Sequence, residues 1–160
     1  LGDRGAHLQE AVQQLHGENF QVTKVSGVYE NPPMYVEDQP SFFNIAVEAE
    51  TSLPALAVLE RAAEIEVGTG RVRVIRNGPR VIDIDVVLYG DEVIATPRLT
   101  VPHPRMNERR FVLQPLAEIA PGLRHPVSGK SVEELLAAVS DQLCRRDAFR
   151  LSIPRMPGKE

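Results

Sequence analysis

One domain mixing helices with strands is what this sequence predicts, and three observations carry the expectation. Two segments, Phe20–Tyr29 and Ser41–Thr51, alternate their side chains with the period of a strand. Others, beginning with Leu8, Ala11, Val12 and Leu15, repeat apolar residues at helical spacing. The chain has 160 residues, enough for one domain with a sizeable core.

Taken in order, Asp3 to His16 is expected as the first helix, with Gly17 as its stop. Phe20–Tyr29 follows as a strand that sets Val22, Lys24, Ser26 and Val28 on one side. Residues 30–40 read as a loop: Asn31-Pro32-Pro33 holds its entry extended, and Asp38-Gln39-Pro40 closes it. A loop of about eleven residues is near the length at which a structureless loop begins to suggest function, with a plain connection as the alternative. The strand Ser41–Thr51 puts Phe43, Ile45, Val47 and Ala49 on one face, and Phe42, Asn44, Ala46, Glu48 and Glu50 on the other. Ser52 is expected to cap a second helix, with Pro54 in its first turn and Leu56, Leu59, Ala63 and Glu66 at helical spacing, ending at Gly68. Gly78-Pro79 starts a strand over Val81–Leu88, and Gly90-Asp91 turns into a short strand at Val93 and Ile94. Residues 98–105 are extended and locked by Pro102 and Pro104. Asn107 is placed to cap a third helix carrying Arg109, Arg110 and Phe111, which Pro115 should kink or restart. Ser131-Val132-Glu133-Glu134 is a capping box that opens a fourth, with Leu135, Leu136, Val139 and Leu143 inward. From Ser152 onward the tail reads as frayed.

The chemistry centres on Asp83 and Asp85. They share one face of their strand with Val81 and Val87, while Ile82, Ile84, Val86 and Leu88 face the core. Two like charges this close repel unless a cation sits between them. Hard oxygen ligands suit Mg²⁺, which takes one or two carboxylates and completes its shell with substrate phosphates. Just upstream, Arg71, Arg73, Arg76 and Arg80 occur with no acid among them, and arginine is well matched to phosphate oxygens. A solvated strand face beside a basic loop remains the plain alternative. Phe42 and Asn44, side by side, could stack on a flat heterocycle and pair with its edge, although strand aromatics more often serve packing. No G-x-x-x-x-G-K-[ST] occurs, which excludes a P-loop kinase. His103, between two prolines, has no metal-ligating neighbour at useful spacing, so zinc is set aside. His7, His16 and His125 read as surface residues.

Composition narrows the classes. A net charge of −4 gives no bulk drive toward nucleic acid. The single cysteine, Cys144, rules out an internal disulfide framework and fits a reducing cytoplasm. No apolar run reaches the roughly 18 residues of a membrane span, and no signal peptide is visible.

Phe42-Phe43-Asn44, Gly70-Arg71-Val72-Arg73, Gly78-Pro79-Arg80-Val81-Ile82-Asp83-Ile84-Asp85 and Val101-Pro102-His103-Pro104-Arg105 occur in that order, followed by Arg109-Arg110-Phe111-Val112-Leu113 and Pro115-Leu116. The pattern resembles the bacterial hydroxymethyl-dihydropterin pyrophosphokinases of folate biosynthesis, from about Leu1 to about Val139. The resemblance implies an α+β, ferredoxin-like fold, an antiparallel sheet with helices on both faces and mobile loops over the site. It implies transfer of the β,γ-pyrophosphate of ATP to the pterin hydroxymethyl oxygen, with release of AMP. By the same resemblance Asp83 and Asp85 would hold two Mg²⁺ ions, and Arg71 and Arg80 would stabilise the transferring phosphates. Arg73, His103 and Arg109 would hold ATP, with Arg98 and Thr100 near adenine and ribose. Phe42 and Phe111 would sandwich the pterin, Asn44 would bond its edge, and backbone near Asn31, Pro33 and Met34 would complete the pairing. The expected organisation is a pyrophosphokinase domain over residues 1–151 and a flexible tail over 152–160, in a cytoplasmic monomer without nucleic-acid or membrane partners.

The chain departs from the family pattern at four places. Asn77 stands where Trp is usual before Gly-Pro-Arg, Pro104 where Tyr often follows the histidine, and Tyr35 where Gly often follows the Pro-Pro-x run. The family's first strand and Gly-Ser-Asn turn do not precede Leu1, so residues upstream are expected in the natural protein. Two other readings stay open: a nucleotidyltransferase using the same D-x-D site, and a nucleotide- or pterin-binding module without catalysis.

Overall fold

A computed structural model describes residues 3–31, 42–69 and 82–154. Its order is helix α1 (Asp3–Leu15), strands β1 (Phe20–Val25), β2 (Tyr29–Asn31), β3 (Phe42–Asn44) and β4 (Val47–Thr51), helix α2 (Ala55–Gly68), strands β5 (Ile94–Ala95) and β6 (Thr100–Val101), a 3-10 turn at Met106–Glu108, helices α3 (Arg110–Ile119) and α4 (Val132–Ala137), and strand β7 (Arg145–Arg146). The chain is thus α+β. Among the described residues the strands pair antiparallel in three small sheets, β1-β4, β3-β2-β7 and β5-β6.

The α1 stripe is as its spacing predicts: Leu8, Ala11, Val12 and Leu15 are buried. They meet Phe20 and Val22 of β1 and Val58 and Ile65 of α2, with Phe43, Ile45, Val47 and Ala49 packed alongside as the alternation requires. A second cluster joins Met106, Leu113, Val132, Leu135 and Val139 between α3 and α4. A third seats Leu99 and Val101 on Ala55 at the start of α2. The Ser131 capping box forms, the hydroxyl accepting from the Glu134 N–H while the Glu134 carboxylate accepts from the Ser131 N–H.

Elsewhere tertiary contacts change the expected elements. Each long strand is divided. The Ser26 hydroxyl accepts from the Ala46 N–H, and the Ser26 N–H donates to the Ala46 carbonyl, so a side chain takes part in the ladder where both strands are interrupted. Within β1 the pairing shifts between Val22 and Lys24. The extra residue, Thr23, reverses the alternation, so Val22 is buried and Lys24 exposed rather than sharing a face. In α2 the capping residue is Pro54 without a side-chain bond, not Ser52. Its buried stripe is Ala55, Val58, Ala62 and Ile65, one position before the expected one, which leaves Leu56 and Ala63 outward. Asn107 falls in the 3-10 turn and Arg109 is the first flanking residue of α3, which runs through the buried Pro115 as one helix. Because α4 stops at Ala137, Leu143 leaves the stripe and is 72% exposed. His125 is buried, not superficial: its Nδ1 accepts from the N–H groups of Val127 and Ser128 and turns the loop before α4. His16 is half-buried, its Nδ1 accepting from the Val22 N–H.

The largest correction concerns 82–89, which is not part of any sheet among the described residues. A strand needs a neighbouring backbone to fill its ladder. Here the Ile84 N–H donates to the Glu66 carboxylate at 2.5 Å, and the Val87 carbonyl accepts from the His103 N–H at 2.8 Å. The alternation nevertheless survives at its start. Ile82 is buried and Ile84 partly so, while Asp83 and Asp85 are exposed. Further on both sides are covered, since Val86 joins the first core and Val87 and Leu88 the second.

Candidate active site

The two aspartates sit on a segment held from both sides. Glu66, in the last turn of α2, takes the Ile84 N–H between them, and the segment around His103 takes the Val87 carbonyl beyond them. Neither aspartate carboxylate has a hydrogen bond or ion pair among the described residues, while both are exposed. Two exposed carboxylates, separated by one residue on a held backbone, are a fitting donor set for Mg²⁺. No group of three or more His, Cys, Asp or Glu gathers among the described residues. An ion held here would therefore complete its shell with water and substrate oxygens, as Mg²⁺ does with phosphates.

The aromatic-and-amide group comes together at the level of the elements. In the β2-β3 ribbon Asn31 lies directly across from Phe42, and Tyr29 across from Asn44. Helix α3, whose first turn carries Phe111, packs against β2, β3 and β4. The Arg109 guanidinium lies 5.5 Å from the centroid of the Phe111 ring. Arg110 is committed to structure: it donates to the carbonyls of Ser140 and Gln142 and to the Gln114 side chain, while the Gln142 side chain accepts from its N–H.

Of the remaining expected residues, His103, Thr100 and Arg98 are among those described. His103 lies beside the aspartate segment through its backbone, and its Nδ1 accepts from the Arg105 N–H. Thr100 is exposed on β6. Arg98, in the β5-β6 turn, pairs with Glu60 of α2 at 3.2 Å, an exposed ion pair of small energetic weight. Arg71, Arg73, Arg80, Pro33 and Met34 lie outside the described residues, as do Tyr35 and Asn77 and the side chains of Asn31 and Phe42.

Three residues to which the sequence gives no part in the site support this region: Glu66, Glu118 and Arg146. Glu118, near the end of α3, accepts from the Gly27 N–H with both oxygens at 3.1 Å and from the Tyr29 hydroxyl at 2.7 Å. Its partner cation is Arg146, at 3.5 Å. No local motif marks these residues, because their partners are remote in sequence.

Burial, and then the hydrogen bond to Glu118, push the Tyr29 phenol up from 10.0 to about 12. The folded state thus holds the phenolic proton more tightly than the unfolded chain does. That stabilisation is complete below about pH 10 and is lost as pH rises to about 12. Urea unfolding across this window should show wild-type stability falling more steeply than that of Tyr29→Phe. Parallel profiles would show that the phenol is not so held.

Comparison with known proteins adds a family. A model of the 7,8-dihydro-6-hydroxymethylpterin-pyrophosphokinases matches residues 1–121. A 2-amino-4-hydroxy-6-hydroxymethyldihydropteridine pyrophosphokinase of Bacillus subtilis is 51% identical over 120 residues, 74% of this chain and 72% of that one. The Pseudomonas aeruginosa protein of the same name is 44% identical over 142 residues, 84% of this chain and 87% of its own. The chain also matches the Folic acid synthesis protein fol1 of Pneumocystis carinii, 41% identical over 141 residues, but spans only 19% of its length.

Proposed function

The chain belongs to the 7,8-dihydro-6-hydroxymethylpterin-pyrophosphokinase family, and from that premise we propose that it transfers the β,γ-pyrophosphate of ATP to the hydroxymethyl oxygen of 6-hydroxymethyl-7,8-dihydropterin, releasing AMP for folate synthesis. The observation that carries the reading is the exposed Asp83–Asp85 pair, held by Glu66 and by the backbone of His103. Asp83 and Asp85 would hold Mg²⁺, two ions in this reading, which when bound would supply neutralisation of phosphate charge. The protein's own part is positioning. Asp83 and Asp85 fix where the phosphates lie, with Arg71 and Arg80 set against the charge that develops on them. Arg73, Arg98, Thr100, His103 and Arg109 hold ATP. Phe42 and Phe111 clamp the pterin ring, and Asn44 with backbone near Asn31, Pro33 and Met34 reads its edge. Helix α3 packing on the β2-β3 ribbon supports that clamp. Holding both substrates turns a bimolecular displacement into an oriented one, which lowers the barrier without covalent help from the protein.

The reading includes a ferredoxin-like arrangement, supported by the antiparallel β1-β4 and β2-β3 pairs with helices packed against them. It takes residues 1–151 as the catalytic domain and 152–160 as a tail, in a cytoplasmic monomer that acts on small molecules.

Product analysis tests it. Incubation with ATP, Mg²⁺ and hydroxymethyl-dihydropterin should yield pterin-dependent AMP and no ADP. ADP would mean ordinary phosphoryl transfer, and pyrophosphate with a nucleotidylated acceptor would mean a nucleotidyltransferase. Binding of both substrates without turnover would mean a binding module.

A further inference from the structure

Glu118 stands where an acid is least welcome on helix electrostatics alone. It is the penultimate residue of α3, and the negative end of a helix dipole disfavours a carboxylate. A cation would suit that end, and Lys24 already supplies one by donating to the Ile119 carbonyl at 3.2 Å. What Glu118 gains instead is a four-way junction: both oxygens accept from the Gly27 N–H, one accepts from the Tyr29 hydroxyl, and Arg146 pairs with it at 3.5 Å. The Arg146 guanidinium also stacks over the Tyr29 ring, 5.6 Å from its centroid. It lies so close to Gly27 that a Cβ there would come within 2.3 Å of its Nε. Glycine at position 27 is therefore what lets Arg146 reach the junction.

The junction joins three pieces of chain. Glu118 lies seven residues after Phe111, two turns along α3 and on the same face. Tyr29 lies directly across the ribbon from Asn44. Arg146 comes from β7, on the far edge of β2, beyond the residues that the family model matches. That strand is itself anchored: Arg145 pairs with Glu30 at 3.5 Å, and the Asp147 N–H donates to the Val28 carbonyl at 2.7 Å. Phe149 packs on Gly5 of α1, where a Cβ would meet its ring at 2.7 Å. The junction thus sets the spacing between the helix that carries Phe111 and the ribbon that carries Asn44.

We propose that Glu118 and Arg146 are positioning residues for the pterin: by locking α3 to the β2-β3 ribbon they hold Phe111 and Asn44 at the separation a flat ring needs. This rests on the pyrophosphokinase reading. Displacing a binding group by a fraction of an ångström erodes affinity for the ligand it contacts and leaves a separately held ligand unaffected.

The test compares Glu118→Ala, Glu118→Gln and Arg146→Met with the wild-type chain. Pterin affinity is read by fluorescence titration with 6-hydroxymethylpterin in the presence of Mg²⁺ and a non-hydrolysable ATP analogue. ATP affinity is read separately by calorimetry. Glu118→Ala should weaken pterin binding about tenfold or more while ATP binding stays within about twofold. Glu118→Gln keeps an acceptor for Gly27 and Tyr29, and should recover most of the loss. Arg146→Met should weaken pterin several-fold, and it carries the test with Glu118→Gln if Glu118→Ala does not fold. Wild-type pterin affinity in Arg146→Met or in folded Glu118→Ala, or equal losses for both ligands, would overturn the proposal alone. A wild-type chain that binds ATP but no pterin would overturn the pyrophosphokinase reading and this proposal with it.

Discussion

Asp85→Ala is expected to lower turnover by ~10³-fold or more, because metal-assisted charge stabilisation supplies several kcal/mol of the barrier reduction in such reactions. Phosphoryl transfer asks a protein mainly to align substrates and neutralise charge, so a lost carboxylate is not replaced by other residues. The same change should leave the fold intact. Asp85 is exposed, has no partner among the described residues, and lies outside the three cores. Its removal should alter stability by no more than about 0.5 kcal/mol. The measurement pairs pterin-dependent AMP release with urea unfolding. Undiminished turnover would reject the metal assignment, and lost turnover with lost stability would give the aspartate a structural role instead. Asp83→Ala should behave alike, since both carboxylates are exposed on the same held segment.

Leu113→Ala is expected to cost about 3 kcal/mol of stability, within the range for large-to-small changes at sealed core sites. Leu113 is 0% exposed and packs among Met106, Val132, Leu135 and Val139, so the cavity would open where α3 meets α4. The surrounding helices are held by the Arg110 and Gln142 bonds on one side and the Ser131 box on the other. That limits their freedom to collapse into the space, and poor collapse is what makes such changes expensive. Urea unfolding should show a lower midpoint with an unchanged slope. A loss below about 1 kcal/mol would mean that the site relaxes freely and that α3 is not pinned as described.

Local chemistry was legible from the residues. The α1 stripe, the Ser131 capping box and the shared face of Phe43, Ile45, Val47 and Ala49 each depend on a few adjacent residues, and each is present. So is the outward placement of Asp83 and Asp85. The motifs from Phe42 to Leu116 carried the family as well, which the match of the family model to residues 1–121 bears out.

Tertiary structure decided the rest. Whether 82–89 pairs as a strand depends on which backbone lies beside it, and here a carboxylate eighteen residues upstream takes the Ile84 N–H. The bulge at Thr23 follows from register against β4, and burial of His125 from how its loop folds onto α4, neither of which hydrophobic period encodes. Glu118 shows the limit most plainly. In sequence it is an ordinary acid near a helix end. Its meaning comes from Gly27, 91 residues away, and from Tyr29, 89 residues away. Periodicity, caps and motifs act over a few residues, so the sequence alone reached the α1 stripe, the Ser131 cap and the family motifs. The spacing of α3 from the ribbon depends on contacts that exist only once the chain has closed on itself.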